Sequence, residues 1–129
     1  MLTYLAVFVG GGFGSCLRLA VSHIAARHAG SDFPWGTLSV NLLGAFLIGL
    51  IVELLALKLD APASLRYLLV TGFLGGFTTF SAFSLESAAM LERGDHLLLV
   101  AYVAASVIGT IALVFAGMFL VRQLLMAWL

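Results

Sequence analysis

The sequence predicts an all-α membrane protein of four transmembrane helices, the third of them interrupted. Three observations carry that expectation: a shortage of charge, four apolar runs of bilayer length, and a glycine- and threonine-rich stretch inside the third run. Of the 129 residues, 63% are hydrophobic and 9% are charged, and the mean hydropathy is +1.18. A soluble globular domain carries roughly 25% charged residues, so this chain has too little charge to solvate a surface. The formal net charge is zero and no basic run exists, which argues against a nucleic-acid partner.

A helix crosses the hydrocarbon with roughly 20 mostly apolar residues. Four stretches qualify, at about 4–26, 35–57, 65–91 and 97–121. The connectors, 27–34, 58–64 and 92–96, are short and polar, so residues 1–129 form one membrane domain. No basic segment precedes the first run and Arg18 interrupts it. That pattern departs from a cleavable signal peptide and predicts that the first run stays as a membrane helix. Cys16, the sole cysteine, sits within it and reads as a small apolar residue.

Orientation follows the lysines and arginines. Lys58, Arg66 and Arg122 fall on one side, Arg27 and Arg93 on the other, and Arg18 within the first span. Three against two is almost no bias. Such a chain can insert both ways and pair with its inverted copy; a single weakly biased orientation is the alternative.

The third run reads Gly72-Phe73-Leu74-Gly75-Gly76-Phe77-Thr78-Thr79-Phe80-Ser81-Ala82-Phe83-Ser84. Each interior glycine costs a helix about 1 kcal/mol relative to alanine, and two β-branched threonines follow. Gly72 and Gly76 also have the spacing of a close contact between unbroken helices. The adjoining Thr-Thr-Phe-Ser favours a break between Gly75 and Thr79. Carbonyls freed at membrane depth need protein, an ion or water, and broken membrane helices commonly mark ion sites. Beyond the break, Phe80 and Phe83 share a helical face. Their rings have positive edges that suit a small anion, although phenylalanines at this spacing are usually packing.

The other spans carry polar groups at helical spacing. Thr37 and Asn41 stand four apart, with Gly44 continuing their face. An asparagine at this depth is often interhelical glue, and its amide also offers two N–H donors to an anion. Tyr102, Ser106 and Thr110 make one hydroxyl stripe on the fourth span. Arg18 and Glu86 are ionisable groups within spans; Arg18 can snorkel, and Glu86 can pair with Arg18 or with a partner, whereas Glu53 reads as interfacial. The three histidines lack the spacing of a metal set, and no nucleophile triad, phosphate loop or redox motif supports an enzyme. The result is a polar lane with many donors and few charges, which four helices are too few to enclose.

Gly14-Ser15-Cys16-Leu17-Arg18, then Gly36-Thr37-Leu38-Ser39-Val40-Asn41-Leu42-Leu43-Gly44, then the third-helix run through Phe83 resemble the CrcB/Fluc family of fluoride channels. Ser15 stands where alanine is common, and Ala82 where threonine is common. The resemblance implies an antiparallel dual-topology homodimer with two pores in the cell inner membrane, passively exporting cytoplasmic fluoride. It implies that Asn41 donates to fluoride, that Phe80 and Phe83 line the path by their ring edges, and that Thr79, Ser81, Ser84, Glu86, Tyr102, Ser106 and Thr110 form a polar track. Arg18 would attract anions at a pore entrance. The backbone carbonyls of Gly75 and Thr78 from both subunits would hold a structural Na⁺ at the dimer centre.

Two rival functions make contrary demands. A small multidrug exporter, also of four helices, needs a carboxylate near the middle of its first span, and none lies between Tyr4 and Ala26. In a purely structural membrane subunit, Asn41 and the hydroxyl stripe would be assembly contacts.

Overall fold

The computed structural model describes residues 1–57 and 62–127. Lys58, one of the charges weighed for orientation, lies outside the described residues. The chain forms α1 (Leu2–Ala29), α2 (Trp35–Leu57), α3 (residues 63–77), α4 (Phe80–Arg93) and α5 (His96–Met126). By length and hydropathy, α1, α2, α5 and the combined stretch Ala63–Arg93 can each cross a membrane. The protein is therefore a multi-pass membrane protein, with α3 and α4 as halves of one span. The first and last helices extend beyond the expected apolar runs at both ends.

Glycine decides how closely these helices approach. In α1, a Cβ at Gly14 would strike the Phe73 carbonyl oxygen and lie 2.8 Å from the Phe77 nitrogen; in α3, one at Gly76 would strike the Gly11 carbonyl oxygen. Backbone packs on backbone here, as small-residue membrane interfaces allow. The same device joins α2 to α5, where Gly49 and Gly117 face the opposing main chain at Val114 and Phe46. The Gly72–Gly76 spacing thus serves a helix contact, and the chain breaks as well.

The break is narrower than the expected 75–79. Gly75–Phe77 remain helical, and the Thr78 amide still donates to the Leu74 carbonyl at 2.9 Å. Only Thr78 (φ −84, ψ 160) and Thr79 (φ −154, ψ 123) are extended, a geometry that suits β-branched residues. Upstream, Tyr67–Leu74 is wound as a π-helix, a form that is rare and frequent at functional sites. The sequence carried no expectation of it.

At the other end of α4, Gly94 takes the left-handed conformation (φ 79, ψ 14). Its amide donates to Leu91 and that of Asp95 to Met90, ending the helix as glycine C-caps do. Glu53, near the end of α2, has a buried carboxylate held by a fork from the half-exposed Arg122, Nε to Oε1 at 2.7 Å and Nη2 to Oε2 at 3.1 Å. A bidentate pair fixes geometry as well as charge, and it ties α2 to α5.

Candidate functional site

The site starts at the break. Asn41 on α2 reaches across to Thr79: its Nδ2 donates to the Thr79 carbonyl at 2.9 Å, and its Oδ1 accepts from the Thr79 amide at 2.8 Å. One side chain thus takes the amide that a continuous helix would have given to the Gly75 carbonyl. It also adds a donor to the Thr79 carbonyl, which as the helix N-cap already accepts the first bond of α4. Because the Thr79 amide is taken, the Gly75 carbonyl loses its helical donor. One amide carries two N–H groups, so Asn41 keeps a second donor beyond the one spent on Thr79. The Thr79 hydroxyl caps α4 by accepting from the Ala82 amide at 3.2 Å.

A cavity of about 340 Å³ opens beside this junction. Asn41, Thr79, Phe80, Phe83, Ser106 and Thr110 all line it. Six of the expected path residues, from three spans, are therefore brought to one space. Gly75 and Thr78 stand at the same wall. The start of α4 borders the cavity, and a helix N-terminus acts as roughly half a positive charge with unsatisfied N–H donors. Ser106 Oγ is buried and, among the described residues, has no hydrogen-bond partner. Leaving such a group unsatisfied costs about 1–3 kcal/mol, so it favours a ligand or water there. Thr110 spends its hydroxyl on the Ser106 carbonyl at 2.6 Å.

At the inner end of the cavity the rings continue. Phe80 and Phe83 have centroids 5.4 Å apart, and Phe83 stands 5.2 Å from Tyr102. Tyr102 is fully buried and its hydroxyl donates to Glu86 Oε2 at 2.6 Å. Thr37 donates to the other carboxylate oxygen, also at 2.6 Å. A carboxylate at this depth is costly unless it is hydrogen-bonded, and two short bonds from two helices supply that. Thr37 belongs to this cluster although its sequence signal was only its position four residues before Asn41.

The remaining expected residues are placed differently. Arg18 does not pair with Glu86; its Nη1 donates to the Thr78 carbonyl at 3.3 Å. Ser81 and Ser84 are exposed and line neither this cavity nor the second one at the α1–α2 loop. Ser84 spends its hydroxyl on the Phe80 carbonyl at 2.9 Å, and Ser81 lies 3.2 Å from the Thr79 hydroxyl. Of the expected track residues, Asn41, Thr79, Ser106 and Thr110 meet at this cavity, and Tyr102 and Glu86 are hydrogen-bonded to each other beyond Phe83.

Fold and site together define a small multi-pass helical membrane protein with a largely apolar cavity between its spans, into which a few polar groups converge. The family described as CrcB-like protein, Camphor Resistance (CrcB), matches residues 5–118, and the chain belongs to it. A relative in Rhizobium johnstonii, named fluoride-specific ion channel FluC, is 52% identical over 124 residues, covering 96% of this chain and 99% of its own length. Proteins of the same name in Agrobacterium fabrum, at 51% over 124 residues, and Granulibacter bethesdensis, at 47% over 125 residues, cover this chain to 96% and 97% and their own lengths to 99% and 98%.

Proposed function

We propose that this protein is a fluoride channel that passively exports cytoplasmic fluoride across the inner membrane, without catalysis. The observation that carries this reading is the unpartnered Ser106 hydroxyl in a cavity lined by Asn41, Phe80 and Phe83. A small anion that sheds water needs replacement donors. This cavity offers an amide N–H, a hydroxyl and a helix N-terminus without a fixed cation, so the ion can also leave. The names of the relatives point the same way. Liposomes containing only this chain should release fluoride far faster than chloride; equal release of both would refute selectivity.

The working unit in this reading is an antiparallel homodimer with two pores. The support is the near-balance of charge and the exposure of Phe80, 77% in a single chain, which leaves one side of the lane unwalled. A tag at the C-terminus should then be accessible from both sides of the membrane. Confinement to one side would exclude dual insertion.

A structural Na⁺ at the dimer centre would be held by the Gly75 and Thr78 carbonyls of both subunits. Neutral carbonyl oxygens suit a hard cation, and the lost helical donor at Gly75 supports the fit. Thr78 fits less simply, since its carbonyl accepts from Arg18. When bound, the ion would supply positive charge beside the anion lane. The threonine side chains are not required as ligands, so Thr78→Ala should keep Na⁺-dependent dimer stability while Gly75→Val loses it. Sodium-independent stability in the parent protein would remove the ion from this account.

A further inference from the structure

Gly11, Gly14, Ser15 and Arg18 fall at helical spacing on one face of α1. The glycines press that face onto the main chain of α3, where a Cβ at Gly14 would strike the Phe73 carbonyl oxygen and one at Gly76 the Gly11 carbonyl oxygen. One turn further along, the same face meets the break. Ser15 Oγ donates to the Gly76 carbonyl at 3.4 Å, and Arg18 Nη1 to the Thr78 carbonyl at 3.3 Å. We propose that Arg18 is a built-in competitor of the metal ion at the break. Its guanidinium holds the Thr78 carbonyl before an ion binds, and its charge weakens the site for that ion. The proposal rests on the Na⁺ reading above.

The break creates the demand for a cation. The last carbonyls of a helix have no partner within it, and together they act as roughly half a negative charge. Here the shortage is reinforced from both sides. Asn41 withdraws the Thr79 amide from Gly75. The Ala82 amide, which a continuous helix would bring to Thr78, goes to the Thr79 hydroxyl at 3.2 Å. Unwound carbonyls and half-helix C-termini of this kind coordinate Na⁺ in membrane proteins. Arg18 is the cation that the chain itself brings to the same oxygen.

The guanidinium charge is not cancelled nearby. Among the described residues no carboxylate pairs with Arg18, and Glu86 is engaged by Thr37 and Tyr102. A carbonyl oxygen has two lone pairs, so a guanidinium and a metal ion can meet on one oxygen. As like charges they repel there. Ser15 engages the neighbouring Gly76 carbonyl without charge, and it separates the effect of charge from that of the hydrogen bond.

Dimer stability of the full-length chain in detergent, titrated with Na⁺ against N-methylglucamine at constant ionic strength, tests the competition. Arg18→Gln keeps an N–H donor and loses the charge, so half-saturating Na⁺ should fall about tenfold or more. Arg18→Lys and Ser15→Ala should titrate like the parent. Unchanged or weaker Na⁺ binding in an assembled Arg18→Gln protein would overturn the proposal. So would an equal shift in Ser15→Ala, which would assign the effect to loosened packing. The parent protein gives a second readout, because coupling between two sites is reciprocal. Na⁺ should speed modification of Arg18 by a dicarbonyl reagent, mapped by mass, about threefold or more while leaving Arg27 unchanged. No gain at Arg18 in a dimer that Na⁺ does stabilise would refute the competition alone. A parent dimer indifferent to Na⁺ would remove the metal site and the competition with it.

Discussion

Asn41→Asp should lower fluoride efflux by about a hundredfold or more at neutral pH while the protein still assembles. The ionised carboxylate keeps an acceptor for the Thr79 amide but loses the Nδ2 donor to the Thr79 carbonyl. It also sets a negative charge against the lane. Two unit charges 4 Å apart interact by about 4 kcal/mol at an effective dielectric of about 20, and every 1.4 kcal/mol is about tenfold. Repulsion alone is therefore large enough. Efflux rate and oligomer fraction, measured on the same preparation, separate transport from folding. Asn41→Ala should instead harm both, because it leaves the Thr79 amide without its partner and removes a donor from the Thr79 carbonyl. Near-parent efflux from Asn41→Asp would leave this residue as a clamp on the break with no part in conduction.

Two glycines on the same helix should respond in opposite ways to the same methyl group. At Gly14 the added Cβ would meet the main chain of Phe73 and Phe77, which cannot rotate aside. At Gly12 an added Cβ would meet nothing within 4 Å among the described residues. Alanine gains about 1 kcal/mol of helix propensity at either site, while overpacking costs about 1–3 kcal/mol. Gly12→Ala should thus be neutral or stabilising. Gly14→Ala should destabilise, and Gly14→Leu should abolish the folded protein. Denaturant titration of the detergent-solubilised chain reads all three. Equal stability of Gly14→Ala and Gly12→Ala would contradict the backbone-to-backbone contact between α1 and α3, and with it the placement of Thr78 and Thr79.

Much of the site was legible because helical spacing is a one-dimensional property. Tyr102, Ser106 and Thr110 fall on one stripe by arithmetic, and the Gly-Gly-Phe-Thr-Thr run advertises a weak helix. What spacing cannot give is the partner on another helix. Arg18 and Glu86 were candidates for each other, being ionisable groups within spans. In three dimensions Arg18 reaches the Thr78 carbonyl, and Glu86 is satisfied by two neutral hydroxyls. The tie between Thr37 and Glu86 became visible only through that bond. Ser81 and Ser84 show the converse: they share the motif with the phenylalanines, yet helix rotation after the break turns them away from both cavities.

By itself the sequence determined membrane residence, four spans and an interruption in the third. Each depends on local composition: transfer of apolar runs to the bilayer is additive along a helix, and glycine and threonine weaken a helix wherever they stand. Tertiary structure alone decided the length and position of the break. Gly75–Phe77 stay helical because the Leu74 carbonyl still receives an amide, that of Thr78. The chain leaves the helix at Thr79 because Asn41, 38 residues away in sequence, accepts its amide, and donates to its carbonyl as well. At membrane depth a backbone group departs from its helix only where another part of the protein can receive it, and that receiver is a property of the assembled fold.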